Sequence, residues 1–257
     1  MCLVNFHFQD HPVYKLIVVA NRDEFYERPT ATADFWEDHP TILAGRDLLQ
    51  MGTWLGVTKG GRFAALTNYR DPRLMETGRF SRGDIVRDFL ANGDNPVDFI
   101  QKLAGNKESY GGYNIVIGDG NQLFHYNNIL DETNEIFSGT HSLSNHTLNT
   151  PWPKVEKGKK RLGDYARSSL GELQLDSLFN ITSDQSKAED EDLPNTGIGL
   201  EMERLLSPLF IKIPNYGTRS STVLLIDQAD NITFVERTFL EGEFHSENQF
   251  TFKIEEI

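Results

Sequence analysis

The segment MCLVNFHFQD (1–10) begins the chain and carries its single cysteine, Cys2. Apolar residues recur at every second position from Val4 to Phe8, which is the period of a β-strand with one buried face. A second apolar run, YKLIVVA (14–20), follows after a short turn-forming stretch. The two runs predict a pair of neighbouring strands, with the cysteine at the start of the first.

The rest of the chain alternates between pairs of apolar runs and pairs of segments with helical spacing. Strands are predicted at 53–58, 62–67, 113–119, 122–128 and 249–257, and a long hairpin at 221–239. Helices are predicted at 81–93, 96–105, 151–170, 172–182 and 198–210, and a polar surface loop at 183–197. Neighbouring strands and neighbouring helices are typical of an α+β fold with antiparallel sheets. Since no repeat or composition break divides the chain, we predict a single domain over 1–257.

The composition excludes several functional classes. The 257 residues include 25 Lys and Arg against 38 Asp and Glu, which gives a net charge of −13 at pH 7. Binding to nucleic acid or to an anionic membrane surface needs clustered positive charge, so neither is predicted. One cysteine excludes an internal disulfide framework and a cysteine-rich zinc site. Because no signal peptide or apolar run of about 18 residues is apparent, we predict a cytoplasmic protein without integral membrane association.

The position of Cys2 suggests a catalytic role. If Met1 is removed, Cys2 carries a thiol and a free α-amine on the same residue. The ordinary pKa is about 8 for the α-amine and about 8.5 for the thiol, so one residue supplies a nucleophile and a general base. The alternative is that Cys2 is a small apolar residue of a buried strand. A retained Met1 would block the α-amine mechanism.

A dense polar segment follows the second apolar run. Its residues Asn21, Arg22, Asp23 and Glu24 are consecutive. An arginine beside the Cys2 thiol would stabilise the thiolate, and a carboxylate beside the α-amine would orient that amine and hold its proton. The alternative interpretation is an exposed polar turn after the strand. For Glu24 a structural role, pairing or capping, is predicted.

Four strings of sequence form a larger pattern. They are MCLVNF (1–6), NRDE (21–24), AGRDLLQMGTWLGVTKGGRFAALTNYRDP (44–72) and HSLSNHTLNTPWPKV (141–155). Together they resemble the NRDE family, the group related to the Transport and Golgi organization protein, over nearly the whole chain. That family in turn resembles the cholylglycine hydrolase branch of the N-terminal nucleophile hydrolases. The resemblance implies a four-layer αββα sandwich of two antiparallel sheets, which agrees with the α+β pattern above.

The resemblance also implies a set of site residues. These are Cys2, Arg22, Asp23, Asn68, Asn145 and Arg219. The cysteine is the implied nucleophile, and the next two are the arginine and aspartate beside it, although the hydrolases separate these two by intervening residues. The two asparagines are implied donors to an oxyanion, since a side-chain amide gives a neutral hydrogen bond to a developing alkoxide. Arg219 completes the polar cluster. The alternatives are turn positions for the asparagines and an ion pair for Arg219.

Two functions are predicted. The first is an amidohydrolase or acyl-transfer enzyme that acts on a small amide or thioester with an apolar acyl part and requires no cofactor. The second is a non-catalytic carrier of haem, acyl-CoA or another lipid on the same fold, with Cys2 or a nearby histidine as an axial ligand of haem. An acyl-CoA carrier needs basic residues at the rim of its pocket, and the candidates are Arg22, Arg28, Arg46, Arg70 and Arg219.

Overall fold

The structure is a computed structural model that describes residues 2–74 and 79–255. Its strands are β1 (Cys2–Phe8), β2 (Tyr14–Phe25), β3 (Thr30–Phe35), β4 (Ile42–Asp47), β5 (Leu55–Thr58), β6 (Phe63–Asn68), β7 (Tyr113–Gly118), β8 (Leu123–Asn127), β9 (Glu132–Ile136), β10 (Gly139–Leu143), β11 (Lys212–Ile213), β12 (Tyr216–Asp227), β13 (Asn231–Leu240) and β14 (Glu243–Lys253). Its helices are α1 (Arg82–Ala91), α2 (Pro96–Gly105), α3 (Pro153–Ser168), α4 (Leu175–Thr182) and α5 (Leu200–Leu205). None of these described helices combines the length and the apolar composition needed to cross a membrane. The predicted removal of Met1 and the last two residues of the predicted strand 249–257 lie outside the described residues.

The strands form two antiparallel sheets. Sheet I has the order β10-β1-β2-β12-β13-β14, with the short β11 paired to β12. Sheet II has the order β3-β4-β5-β6-β7-β8-β9, so each strand is paired with its neighbours along the chain. In sheet I, β1 and β2 pair as the sequence predicts, and Cys2 is directly opposite Arg22.

The two sheets pack face to face, and helices cover both outer faces. The inner core includes Phe6 and Val18 from sheet I and Val57 and Phe63 from sheet II. Helices α1 and α2 pack on the outer face of sheet II, and α3 and α4 pack on the outer face of sheet I. This arrangement confirms the predicted α+β fold and its four αββα layers, since each sheet buries apolar side chains on both faces.

The largest difference from the sequence-based prediction lies in β2. The apolar run ends at Ala20, but the strand continues through the polar residues to Phe25. The interpretation of residues 21–24 as an exposed turn is therefore wrong. β2 lies between β1 and β12, so its backbone is hydrogen-bonded on both sides, and Asn21, Arg22 and Asp23 are all buried. Strands β3, β4, β9 and β10 were not predicted, and they extend the two sheets at their edges; the short β11, paired to β12, was not predicted either.

Candidate active site

A cavity of about 410 Å³ opens beside the first residue of β1. Its wall combines the start of β1, the end of β2, the end of β6 and the first turn of α1. The lining residues that bear on function are Cys2, Arg22, Asp23, Glu24, Arg28, Asp47, Trp54, Leu66, Asn68, Arg79, Phe80, Ser81 and Arg82. Most of these are polar or charged, so the wall differs sharply from the apolar core between the sheets.

Cys2 and Arg22 lie on the same face of sheet I. Residues directly opposite in an antiparallel pair have Cβ atoms about 5 Å apart and share a face. That face is the inner one, because Val4 and Ala20, the next pair along it, belong to the core between the sheets. Cys2 is only 8% exposed. The inner face of sheet I is thus apolar up to the pair Val4 and Ala20, and its last pair places a thiol beside a guanidinium.

The guanidinium of Arg22 is held in place by an aromatic ring and one hydrogen bond. Its carbon lies 4.1 Å from the centroid of the Trp54 ring, and its Nη1 donates to Thr30 Oγ1 at 3.0 Å. Trp54 can lie this close to β4 because Gly45 has no side chain; a Cβ there would be 2.5 Å from the indole ring. Within residues 2–74 and 79–255, no acidic side chain forms an ion pair with Arg22. Its positive charge therefore acts on the cavity.

The environment of Cys2 keeps its thiol protonated. Burial raises the pKa of the thiol, and the carboxylate of Asp23 raises it further, while the guanidinium of Arg22 opposes both. A neutral thiol is a weak nucleophile, because the thiolate is the attacking species. Chemistry at Cys2 therefore needs a base that removes the proton during attack.

Asp23 lies on the outer side of sheet I, since successive strand residues face opposite ways. Its Oδ1 accepts a hydrogen bond from Thr218 Oγ1 at 2.8 Å, and its backbone carbonyl accepts one from Tyr216 Oη at 3.1 Å. Burial raises the pKa of the Asp23 carboxyl, and the nearby Lys154 ammonium lowers it. Asp23 is thus a buried acid whose ionised form depends on a neighbouring positive charge.

Lys154 supplies that charge from the first turn of α3. It is 3% exposed, and its Nζ makes no hydrogen bond within the described part of the chain. Burial lowers the pKa of its ammonium to about 8. The start of α3 is pressed against β1 by an apolar cluster of Leu3, Trp152, Val155 and Leu209, and this packing keeps Lys154 buried behind Cys2.

The two predicted oxyanion asparagines take different positions. Asn68 ends β6 and lines the cavity. Asn145 is completely buried and lies outside the cavity wall. Its side-chain Nδ2 donates to the backbone carbonyl of Asn68 at 3.0 Å, and its backbone carbonyl accepts from the backbone N–H of Arg70 at 2.7 Å. The structure therefore brings Asn68 to the cavity, whereas Asn145 fixes the backbone that carries it.

Arg219 also lies away from the cavity wall. It occupies a β-bulge of β12, where Thr218 opposes Asp23 and Ser220 opposes Arg22. Its Nη1 donates to the carbonyls of Phe25 at 2.8 Å and Arg28 at 3.0 Å. Arg219 thus stabilises the turn that follows β2. It neither joins the polar cluster at the cavity nor forms an ion pair with a described residue, which were the two predicted roles.

The arginines predicted at the rim are only partly found there. Arg22 and Arg28 line the cavity. Arg46 instead pairs with Asp38 at 2.6 Å, and Arg70 pairs with the buried Glu203 at 2.7 Å. The charges of Arg46 and Arg70 are therefore neutralised by acidic side chains of the fold, and these two arginines do not line the cavity.

Sequence reasoning missed three basic residues of the site. Arg79 and Arg82 line the cavity, and Lys154 lies behind Cys2. For two of them the available signal was a position near the start of a predicted helix: Arg82 is the first residue of α1 and Lys154 the second of α3. Those signals are weak, because lysine and arginine near a helix end are usually exposed to solvent.

Comparison with known proteins agrees with the fold and the sequence pattern. Residues 1–241 match the family described as "Transport and Golgi organisation 2". The chain is 34% identical over 263 residues to Transport and Golgi organization protein 2 homolog of Bos taurus, with 95% of each chain covered. It is 27% identical over 280 residues to Transport and Golgi organization protein 2 of Drosophila melanogaster, covering 96% of this chain and 95% of that one. Among solved structures, a variant of conjugated bile acid hydrolase from Clostridium perfringens has the same fold, with a TM-score of 0.54, 8% identity, and coverage of 98% of this chain and 97% of that chain. The resemblance found in the sequence is confirmed, and the chain belongs to the Transport and Golgi organisation 2 family.

Proposed function

We propose that this protein is a cytoplasmic enzyme with an N-terminal cysteine, which hydrolyses or transfers the acyl group of a small amide or thioester after Met1 is removed. The observation that carries the proposal is the position of Cys2, which begins β1, lies opposite Arg22 and lines the cavity. A chain whose single cysteine is this residue has one thiol available for covalent catalysis.

The proposed reaction begins with proton transfer within Cys2. The α-amine takes the thiol proton as the sulfur attacks the carbonyl carbon, and the carbonyl electron pair moves onto its oxygen. The side-chain amide of Asn68 is the candidate donor to this oxyanion, and one such donor contributes about 3 kcal/mol to transition-state stabilisation. The tetrahedral intermediate then collapses, the α-ammonium returns the proton to the leaving amine or thiol, and a thioester remains on Cys2.

The second half of the reaction repeats these steps with water. The α-amine takes a proton from the water as its oxygen attacks the thioester, and the proton then passes to the departing Cys2 sulfur while the carboxylic acid leaves. In both halves Arg22 favours the thiolate and Asp23 favours the protonated α-amine. The acyl group would contact the apolar part of the wall, which consists of Trp54, Leu66 and Phe80.

Three measurements test the proposal. Intact-mass analysis of the purified protein should show loss of Met1, and alkylation by iodoacetamide should occur at Cys2 alone, since the chain has one cysteine. Turnover of a panel of simple thioesters and amides should be abolished in Cys2→Ala. A matched control inserts one lysine between Met1 and Cys2, which keeps the thiol and removes the free amine; full turnover by this form would contradict the mechanism.

Burial of the thiol favours a second candidate function, because a protonated thiol reacts slowly at neutral pH. In this alternative the same fold carries haem, acyl-CoA or another lipid without catalysis. Cys2 is the candidate axial ligand, and no histidine is among the described residues of the cavity wall. Titration with haem and with an acyl-CoA tests the alternative, with Cys2→Ala expected to lose the thiolate spectrum of bound haem. Retained Met1, slow alkylation and saturable binding would together favour the carrier over the enzyme.

A further inference from the structure

Three arginines of the cavity wall form no ion pair with another residue that the structure describes. Arg22, Arg79 and Arg82 all line the cavity, and within the described ranges none of them forms an ion pair with an aspartate or glutamate. Arg22 is 5% exposed, and within residues 2–74 and 79–255 its guanidinium makes the hydrogen bond to Thr30 and the ring contact with Trp54 described above. Arg82 uses one nitrogen, Nη1, to donate to the carbonyl of Gly112 at 3.1 Å. A guanidinium has five N–H donors, and Arg22 and Arg82 each use one nitrogen in the hydrogen bonds given above.

The acidic residues of the wall leave this positive charge uncompensated. Asp47 is bonded to Arg28 at 2.6 Å, so these two charges cancel. Asp23 lies on the outer side of the sheet, within the field of Lys154. Glu24 is the remaining acid; its Oε1 accepts from the N–H of the next residue, and its Oε2 is 3.9 Å from Arg28 Nε. One carboxylate therefore faces three arginines, and the local charge is positive.

The first turn of α1 adds positive electrostatic potential on the same side of the cavity. Ser81 caps the helix, and Ser81, Arg82 and Gly83 all line the wall. The turn is held there by close backbone contact, because a Cβ on Gly52 would lie 2.5 Å from the Gly83 carbonyl carbon, and the Thr53 N–H donates to the Gly83 carbonyl at 3.2 Å. The amino end of this helix of 10 residues carries a partial positive charge, although its Gly83 and Asp84 N–H groups already donate to Ser81. Together with the arginines it forms a cradle suited to an oxyanion.

We propose that Arg79, Arg82 and the first turn of α1 bind a phosphate or carboxylate group of the ligand. Arg22, which lies opposite Cys2, adds a further positive charge to the same cavity. This inference rests on the proposed function, and it specifies the substrate as an anionic amide or thioester, whose charged group is held in the cradle while its carbonyl lies at Cys2. A planar, bidentate guanidinium suits both kinds of oxyanion. The two sources, a phosphorylated carrier group and a carboxylate-bearing amine, are separated by the choice of probe.

The test uses Cys2→Ala protein, so that binding is measured without turnover. Pyrophosphate represents the phosphate source, N-acetylglycine the carboxylate source, and N-acetylglycinamide is the uncharged control; each is titrated calorimetrically at fixed ionic strength. We expect saturable binding of at least one anion and none of the amide. Adding Arg79→Met or Arg82→Met should weaken anion binding at least about tenfold, as expected for loss of one charge-assisted hydrogen bond. Adding Arg204→Met, which removes the same charge from an exposed pair with Asp190, should leave it unchanged.

The outcomes separate this inference from the proposed function. Tighter binding of pyrophosphate or of N-acetylglycine identifies the source of the anion. If neither anion binds at millimolar concentration, or if Arg204→Met weakens binding as much as Arg82→Met, the cradle is refuted even where the enzyme turns over substrates. If anions bind the cradle but Cys2→Ala retains full turnover, the proposed function fails and the anion site stands. Circular dichroism of each variant confirms that the fold is intact.

Discussion

Adjacent side chains of β2 act on opposite sides of one sheet. Asn21 faces outward, where its Nδ2 donates to the carbonyls of Thr182 at 3.0 Å and Leu209 at 2.9 Å. Arg22 faces inward to the cavity, and Asp23 again faces outward. Asn21 therefore links β2 to the chain segments that cover the outer face of sheet I. The charges of Arg22 and Asp23 shift the pKa of Cys2 in opposite directions. Consecutive polar residues of one strand thus combine a structural residue, Asn21, with two residues whose charges influence Cys2.

Lys154 should control the reactivity of the thiol. Its ammonium faces Asp23, Cys2 and Glu203 together with the like charge of Arg70. Lys154 also keeps Asp23 ionised, so the test is made in Asp23→Asn protein, where that carboxylate is absent. Because a nearby positive charge favours a thiolate, adding Lys154→Met there should raise the pKa of Cys2 and move the pH profile of iodoacetamide alkylation to higher pH. Lys160→Met, which changes an exposed lysine paired with Asp164, is the control. An unchanged profile in Lys154→Met would show that this charge does not reach the thiol.

Glu236 should make stability depend on pH. Burial raises its pKa from 4.5 to about 7, although Arg22 and a hydrogen bond from the Ala33 N–H at 2.6 Å oppose this. Between these two pH values the folded protein holds a proton that the unfolded chain has released, so this group's contribution to stability is lost as pH rises. Glu236→Gln should therefore be more stable relative to the parent at pH 8 than at pH 4, by up to about 3 kcal/mol. Urea unfolding at both pH values measures this; an equal difference at both would contradict it.

The elements that sequence predicts best are those with local signals. Helix α2 begins with Asn95 and Pro96, and the Asn95 side chain accepts from the Val97 N–H at 2.9 Å. Strand β9 gives no such signal, because its first four residues are exposed and it pairs only at the edge of sheet II. Strand β3 is similar, with a single fully buried residue, Ala33. Edge strands are set by a partner already in place, so their own sequence carries little of the information.

The cap of α2 should contribute measurably to stability. Asn95→Ala removes the side-chain acceptor for the Val97 N–H, and loss of such a cap costs about 1 kcal/mol. Asn121→Ala is the control, because Asn121 lies in an exposed turn and its side chain makes no hydrogen bond within residues 2–74 and 79–255. Denaturant unfolding compares the two. Equal free energies of unfolding in both variants would mean that the cap has no net effect.

The contact between Gly52 and α1 should be sensitive to a single methyl group. In Gly52→Ala the Cβ would meet the backbone of Gly83 at 2.5 Å, so α1 must shift. Overpacking of this kind costs about 2 kcal/mol, and the shift would also disturb the cavity wall. Gly93→Ala, at the other end of the same helix, meets nothing within 4 Å and is the matched control. Thermal unfolding should show a lower midpoint for Gly52→Ala than for Gly93→Ala; the reverse order would rule out the close contact.

At the scale of the whole molecule, sequence predicts those parts of the site that follow from strand alternation. Cys2 and Arg22 come together because they end the inner rows of two paired strands. Arg82 and Lys154 enter through the packing of α1 on sheet II and of α3 on sheet I, and no local pattern encodes those distances. Asn145 looks like a site residue in the sequence, yet its buried amide is committed to the Asn68 backbone. Side-chain burial depends on tertiary packing, which one sequence does not specify.

The arginines of the cavity also have a consequence for selectivity among anions. An open cluster of guanidinium groups on a basic protein would collect long polyanions such as RNA. Here the chain as a whole carries a net charge of −13, which repels any chain of phosphates too long to fit inside the cavity. A small anion can enter the cavity. Charges more than about 10 Å away are largely screened by salt, so the nearby arginines have the stronger effect on the anion. If the cradle binds anions as proposed, the net negative charge of the protein would exclude polymers while compact anions still reach the arginines.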